Sequence, residues 1–264
     1  MNVVEKLNQT PNPFISSFYG VCRAGVVMPA LHPLDVVKVK MQTSKEPQGA
    51  FHHSKKLWQQ GGVKEFYKGF QPQFLRMLLK QVWCWPIMTT VPKYWEKSGY
   101  HCLLSQALTG ATIGLVDASI STPLDRLRVL AITQNKKDIS FTDLKKGWRG
   151  FPLLSLRLTT LWSSFLVSQK YFREQEEQRL GVESLEVQHL IPIGMKTAGI
   201  ACAISAPLDL CSNLYQSKEV NYRTFLNSVK KLKPTNFYRG MTLTAGIMIT
   251  HNFTSVYFLD RLKN

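Results

Sequence analysis

Six stretches of the chain are dominated by apolar side chains, roughly 14–34, 72–92, 103–124, 151–171, 189–208 and 241–259. Each has about the 17–25 residues that a helix needs to cross a bilayer. None is uninterrupted: Arg23, Arg76, Lys80, Asp117, Arg157 and Lys196 fall inside them. Charges in a membrane helix are costly unless they face one another or water, so the pattern predicts six helices around a central aqueous path. The competing expectation, amphipathic helices of a soluble basic α-protein, draws on a mean hydropathy of −0.11. Gly110-x-x-x-Gly114 in the third stretch favours close packing of membrane helices. Residues 50–60, 140–147 and 222–232 are short, basic and partly apolar, with Phe51, Leu57 and Trp58 or Tyr222, Phe225 and Val229. They suit short helices lying on a membrane surface with lysines toward acidic head groups.

One tripeptide recurs: Pro33-Leu34-Asp35, Pro123-Leu124-Asp125 and Pro207-Leu208-Asp209, 90 and then 84 residues apart. Each copy is followed by an aromatic, a basic residue and a glycine: Tyr67-Lys68-Gly69, Trp148-Arg149-Gly150 and Tyr238-Arg239-Gly240. Two unrelated signals in fixed order at nearly one period indicate a threefold internal repeat. Its copies are drawn at 1–98, 99–185 and 186–264, together forming one transmembrane domain. Proline removes a backbone donor, so Pro33, Pro123 and Pro207 are expected to bend their helices toward a common axis. Asp35 and Lys38, three apart, share one helical face. Three bent ends meeting at an axis bring a carboxylate of one repeat to a cation of the next, a ring of ion pairs able to close the path.

Charge sharpens this picture. The formal net charge is +16, which fits nucleic acid, acidic lipid or an anionic solute. Segments 36–69, 126–150 and 210–240 hold 20 of the 33 Lys/Arg but 5 of the 17 Asp/Glu, whereas 170–188 is acidic. Alternation of basic and acidic connections is the asymmetry that orients membrane proteins, and a nucleic-acid binder has no need of it. The five cysteines form no C-x-x-C pair and no metal spacing with histidine, and read as buried small hydrophobes. His52-His53 reads as a surface pair rather than a metal site. No glycine-rich phosphate loop, triad or acid pair with catalytic spacing occurs, so no catalytic residue, metal, cofactor or enzyme activity is expected. Met1 to Pro13 resembles neither a secretory signal nor an Arg-rich transit peptide.

The series Pro-x-acidic-x-x-basic-x-basic, a spacer, then aromatic-basic-Gly, three times over nearly the whole chain, resembles the mitochondrial carrier family. The resemblance implies an all-α membrane protein of six transmembrane helices in three pseudo-threefold repeats. Each repeat has a short surface helix between its odd and even helices. It further implies a multi-pass protein of the mitochondrial inner membrane without a cleavable targeting peptide, acting as a monomer. Carried over residue by residue, a matrix-side gate would pair Asp35 with Arg128 and Asp209 with Lys38. Asp125 should meet a base of the third repeat, but Ser212 stands there, leaving at most a hydroxyl, Arg126 or water. Gln42 and Gln216 match the bracing glutamine of the family; repeat 2 has Ile132. Cardiolipin would bind near Gly69, Gly150 and Gly240. The aromatic-acidic-x-x-basic signal of the opposite gate has no clear copy: Tyr94-Trp95-Glu96-Lys97, Phe172-Arg173-Glu174 and Phe258-Leu259-Asp260 fit it poorly.

The glycine of each aromatic-basic-Gly serves as a ruler for the height at which family members contact substrate. Seven residues on lie Arg76, Arg157 and Ile247, and eleven on lie Lys80, Leu161 and His251. Arg76, Lys80, Arg157, Leu158 and His251 are therefore the candidate substrate contacts. Guanidinium forks bind carboxylate or phosphate oxygens bidentately, and cations without matching buried acids ask for a multiply charged anion. The reading is a secondary-active exchanger of anionic metabolites working by alternating access through a central basic cavity. Nucleotides of the ATP/ADP type lead, with Trp83, Trp162 and Phe165 as a stacking face. Di- or tricarboxylates or keto acids are the alternative. A ring short of one bridge implies leak alongside exchange. A different class remains open, a non-transporting carrier-like receptor or scaffold in the membrane.

Overall fold

The computed structural model describes residues 13–44, 48–134, 146–182, 185–218 and 221–261. Among them all regular structure is helical. The α-helices are α1 (Pro13–Thr43), α2 (Ala50–Gly61), α3 (Phe70–Lys97), α4 (Cys102–Gln134), α5 (Phe151–Leu180), α6 (Val187–Ser217), α7 (Tyr222–Lys230) and α8 (Met241–Arg261). Short 3₁₀ turns at Gly62–Tyr67, Lys146–Gly150 and Pro234–Tyr238 lead into α3, α5 and α8.

The six long helices outrun the apolar stretches that announced them. Helix α1 continues through Pro33 to Thr43, α4 through Pro123 to Gln134, and α6 through Pro207 to Ser217. Hydropathy marked only part of each helix, because the added turns carry polar side chains that are nevertheless buried. Lys38, Gln42, Arg128 and Gln216 each expose 3% or less. Among the described residues, two helices are long and apolar enough by composition alone to cross a membrane, α4 and the span Gln188–Ser217 of α6.

Each long helix packs on the next in the order α1, α3, α4, α5, α6, α8, and α8 packs on α1, closing a circle. The three Pro-Leu-Asp helices α1, α4 and α6 also touch one another across it. Between α4 and α5 the approach is backbone to backbone. A Cβ at Gly110 would run into Ser163 and Trp162, and one at Gly114 into Thr159 and Leu158.

The glycines before α3 and α8 adopt the left-handed region, Gly69 at φ +73° and Gly240 at φ +79°, where a side chain is strained. Each faces a Pro-Leu-Asp helix of another repeat: Gly69 the Arg128 backbone, Gly240 the Lys38 and Gln42 stems. Gly150 at φ −85° faces Gln216 in the same manner.

Of the three expected surface segments, 50–60 forms α2 and most of 222–232 forms α7. The segment 140–147 lies largely outside the described residues. Helix α2 turns Leu57 inward onto Val36, Val37, Val39, Met41, Val129 and Ile132, while Phe51 and Trp58 stay exposed. His53 is buried on that inner face rather than at the surface, because it lies four residues from Leu57, on the same side of the helix.

Side chains are not sorted as in a water-soluble bundle, for polar groups share the interior with apolar ones and large apolar groups stand outside. Asp117, Asp125 and Asn213 are fully enclosed, whereas Val26, Val82, Leu115, Leu156, Met195 and Ile204 stand exposed on the long helices.

Candidate functional site

Where α1, α4 and α6 meet, three carboxylates and their cations form one connected group. Arg128 of α4 reaches Asp35 of α1 at 2.5 Å and Asp125, one turn before it, at 2.9 Å. Lys38 of α1 meets Asp209 of α6 at 2.8 Å. The register explains why: in α1 and α4 acid and base are three residues apart, so one face carries both, and the three faces converge. At exposures of 4% or less for Lys38, Arg128, Asp125 and Asp209, low dielectric strengthens each pair and makes an unpaired member costly.

The third link differs from the expectation. Asp125 is not left with a hydroxyl alone: Arg128 of its own helix pairs with it at 2.9 Å, and Arg157 of α5 adds a cation from outside the three helices. Its Nη2 lies 2.8 Å from Asp209 Oδ1 and its Nη1 3.9 Å from Asp125 Oδ2. Ser212 is fully buried and accepts from Gln216 Nε2 at 3.4 Å.

Gln42 donates to Asp209 Oδ2 at 2.7 Å and to the Arg239 carbonyl at 3.2 Å. Asn213, absent from the sequence reading, completes the group. It donates to Gln42 Oε1 at 2.5 Å and accepts from Arg128 Nη2 at 3.5 Å. Its only advance signal is its place, one residue after the serine that breaks the pattern.

The expected substrate contacts separate. Arg157 is drawn into the carboxylate group, as above. Lys80 pairs with Asp117 of α4 at 3.2 Å and lies over the Trp162 ring at 4.5 Å, and Asp117 also accepts from Ser121 at 2.5 Å. These cations therefore do have matching buried acids, contrary to the premise drawn from sequence. The reason is that α4 carries Asp117 and Asp125 on one face two turns apart, beside α3 and α5. Arg76 donates from Nε to Gln73 on its own helix at 3.0 Å. The His251 ring lies 3.4 Å from Arg23 Nη1, which also donates to the His251 carbonyl at 3.1 Å, joining α8 to α1. Leu158 is buried with Ala118 and Leu154 in the seam between α4 and α5, held there by the approach at Gly114, and presents nothing to a solute. Trp83, Trp162 and Phe165 pack about a cluster with Cys84, Ile113, Leu166 and Ala201.

At the other end of α5 the ion pairs Lys170–Glu174, Arg173–Glu177 and Arg179–Glu176 stay within one helix. Among the described residues there, His189–Glu176 at 3.8 Å is the pair that joins two helices. No group of three potential metal ligands occurs among the described residues.

The family model for mitochondrial carrier proteins matches residues 9–99. The mitochondrial dicarboxylate carrier of Caenorhabditis elegans is 22% identical over 267 aligned residues, covering 93% of this chain and 92% of that protein. The chain is thus similar to the mitochondrial carrier family, by the model over its first third and by this relative over nearly its whole length. The chain is also similar to a mitochondrial glycine transporter of Saccharomyces cerevisiae, at 23% identity over 79% of the chain and 74% of that protein. A probable mitochondrial 2-oxodicarboxylate carrier of Schizosaccharomyces pombe is 27% identical over 61% of the chain and 58% of its own length.

Proposed function

We propose that this chain is a carrier of that family, that it spans the mitochondrial inner membrane with its six long helices, as three repeats of two, and that it exchanges multiply charged anions by alternating access. The side-chain distribution supports the membrane half of the reading: ionised groups are enclosed inside the circle while large aliphatic ones stand exposed on its outside, as a lipid solvent favours. The observation that carries the transport half is the carboxylate group joining α1, α4 and α6. Formed, it shuts one end of the path; parted, it opens that end. Removing one member of such a buried pair costs about 3–5 kcal/mol, so the lock is strong enough to need help in opening. A solute supplies that help only through contacts that favour the opening form. Arg76, Lys80 and Arg157 are the cations placed to make them. Gly69, Gly150 and Gly240, at the entries to α3, α5 and α8, are the positions for cardiolipin, and the circle is complete in one chain, so the working unit is a monomer.

Two anion classes fit. Nucleotides use all three cations through their phosphates, with Trp162, already under Lys80, as the ring surface. Di- or tricarboxylates use the cations alone, and the likeness to a dicarboxylate carrier over nearly the whole chain favours keeping them. Counter-exchange in liposomes, preloaded separately with ATP, succinate and phosphate, is expected to give saturable uptake of one class, with Arg76→Ala lowering it tenfold or more, about 1.4 kcal/mol. Absence of uptake for every anion would favour a receptor or scaffold.

A further inference from the structure

The carboxylate group is one base short in its own register. Lys38 follows Asp35 by three residues and Arg128 follows Asp125, but Ser212 follows Asp209. Three enclosed carboxylates facing two cations would leave an uncompensated interior charge, which is strongly destabilising. Arg157 restores the balance from α5. It spans Asp209 and Asp125, the two carboxylates on either side of the gap that a base at position 212 would fill.

One feature sets Arg157 apart from Lys38 and Arg128, and a second it shares with Arg128, whose Nε is likewise buried without an acceptor. The Arg157 side chain keeps 11% exposure, against 4% and 2%. Its Nη1 is buried without a hydrogen-bond acceptor, and Asp125 stands off at 3.9 Å. A guanidinium fork is built to take two oxygens of one carboxylate or phosphate together. Here it holds one oxygen closely and another poorly, on different helices. Arg76 of α3 acts on the charge of Asp125 together with Arg157, so an anion held by Arg76 lies on the side of the guanidinium that faces Asp125. A fork that takes both oxygens of that anion can no longer hold Asp209.

We propose that Arg157 is the third counterion of the carboxylate group, standing in for the base that position 212 lacks, and is also the group that a bound anion withdraws to release the lock. The inference rests on the anion-carrier reading above and adds to it a physical link between occupancy and opening.

The test uses the full chain in liposomes loaded with ATP or with succinate, and in parallel thermal unfolding in detergent, which needs no transport. Arg157→Ala is expected to raise unpaired efflux about tenfold and to lower the unfolding midpoint. Ser212→Lys added to Arg157→Ala uses the vacated space. It is expected to return efflux and midpoint to wild-type values while saturable uptake stays lost. Arg157→Gln serves in both roles if the alanine variant does not fold. Loss of uptake with efflux and midpoint unchanged overturns the counterion role. Recovery of uptake together with closure in the double variant overturns the anion-sensing role. If the wild-type chain moves neither anion, the carrier reading fails separately, and unchanged midpoints in the single variant still overturn the counterion role.

Discussion

Asp209 is the most heavily engaged carboxylate of the site, met by Lys38 from α1, by Arg157 from α5 and by the Gln42 amide. Asp209→Asn keeps the shape but leaves two buried cations without their shared anion. It is expected to cost about 3–5 kcal/mol, read as a lowered unfolding midpoint in detergent; a midpoint within a degree of wild type would contradict the pairing. Gln42→Ala removes the link to Asp209, to the Arg239 carbonyl and to Asn213 at once, at a cost of about 1–3 kcal/mol from buried groups left without partners. At this scale the sequence was most readable where acid and base share a helix, because a three-residue spacing fixes their common face before any packing is known. Arg157 and Asn213 were harder. The reach of Arg157 to α6 depends on how closely α5 approaches, and Asn213 looks like any polar residue until Gln42 lies opposite. The missing base at 212 was visible; its replacement was a matter of tertiary geometry.

Among the elements, the pair α4 and α5 is fixed by absence of side chains. Gly110 and Gly114 let the α5 backbone at Trp162–Ser163 and Leu158–Thr159 lie where a Cβ would otherwise be. Gly114→Leu is expected to force the helices apart and to destabilise by roughly 1–3 kcal/mol, whereas Gly25→Ala, with open space around it, should change the midpoint little. Equal midpoints for the two variants would argue against the tight seam. Helix positions were legible from the apolar stretches, but their ends were not. Turns beyond Pro33, Pro123 and Pro207 are polar in sequence and buried in the fold, so hydropathy stops where the helix continues. The short helices α2 and α7 were legible as amphipathic segments, except that burial of His53 follows from its register with Leu57.

For the molecule as a whole, the excess of basic residues and the slightly negative mean hydropathy pull toward a soluble reading, and the arrangement of side chains pulls the other way. With Val26, Val82, Leu115 and Ile204 facing outward, the chain is expected to stay in the membrane pellet through alkaline carbonate washing and to leave it only with detergent. Release without detergent would refute the six-span reading. The threefold pattern made the meeting of α1, α4 and α6 foreseeable; the identity of the solute was not, because two of the candidate cations, Lys80 and Arg157, proved to be paired with the protein's own acids.

The glycine seam has a mechanical consequence. If α4 and α5 are locked as one plank, Asp125 and Arg157 travel together whenever the molecule changes shape. Motion then concentrates along the fault line between that plank and α6, where Arg157 must let go of Asp209. If the carrier reading holds, a staple across this line would stop transport, while one across the plank would leave it running.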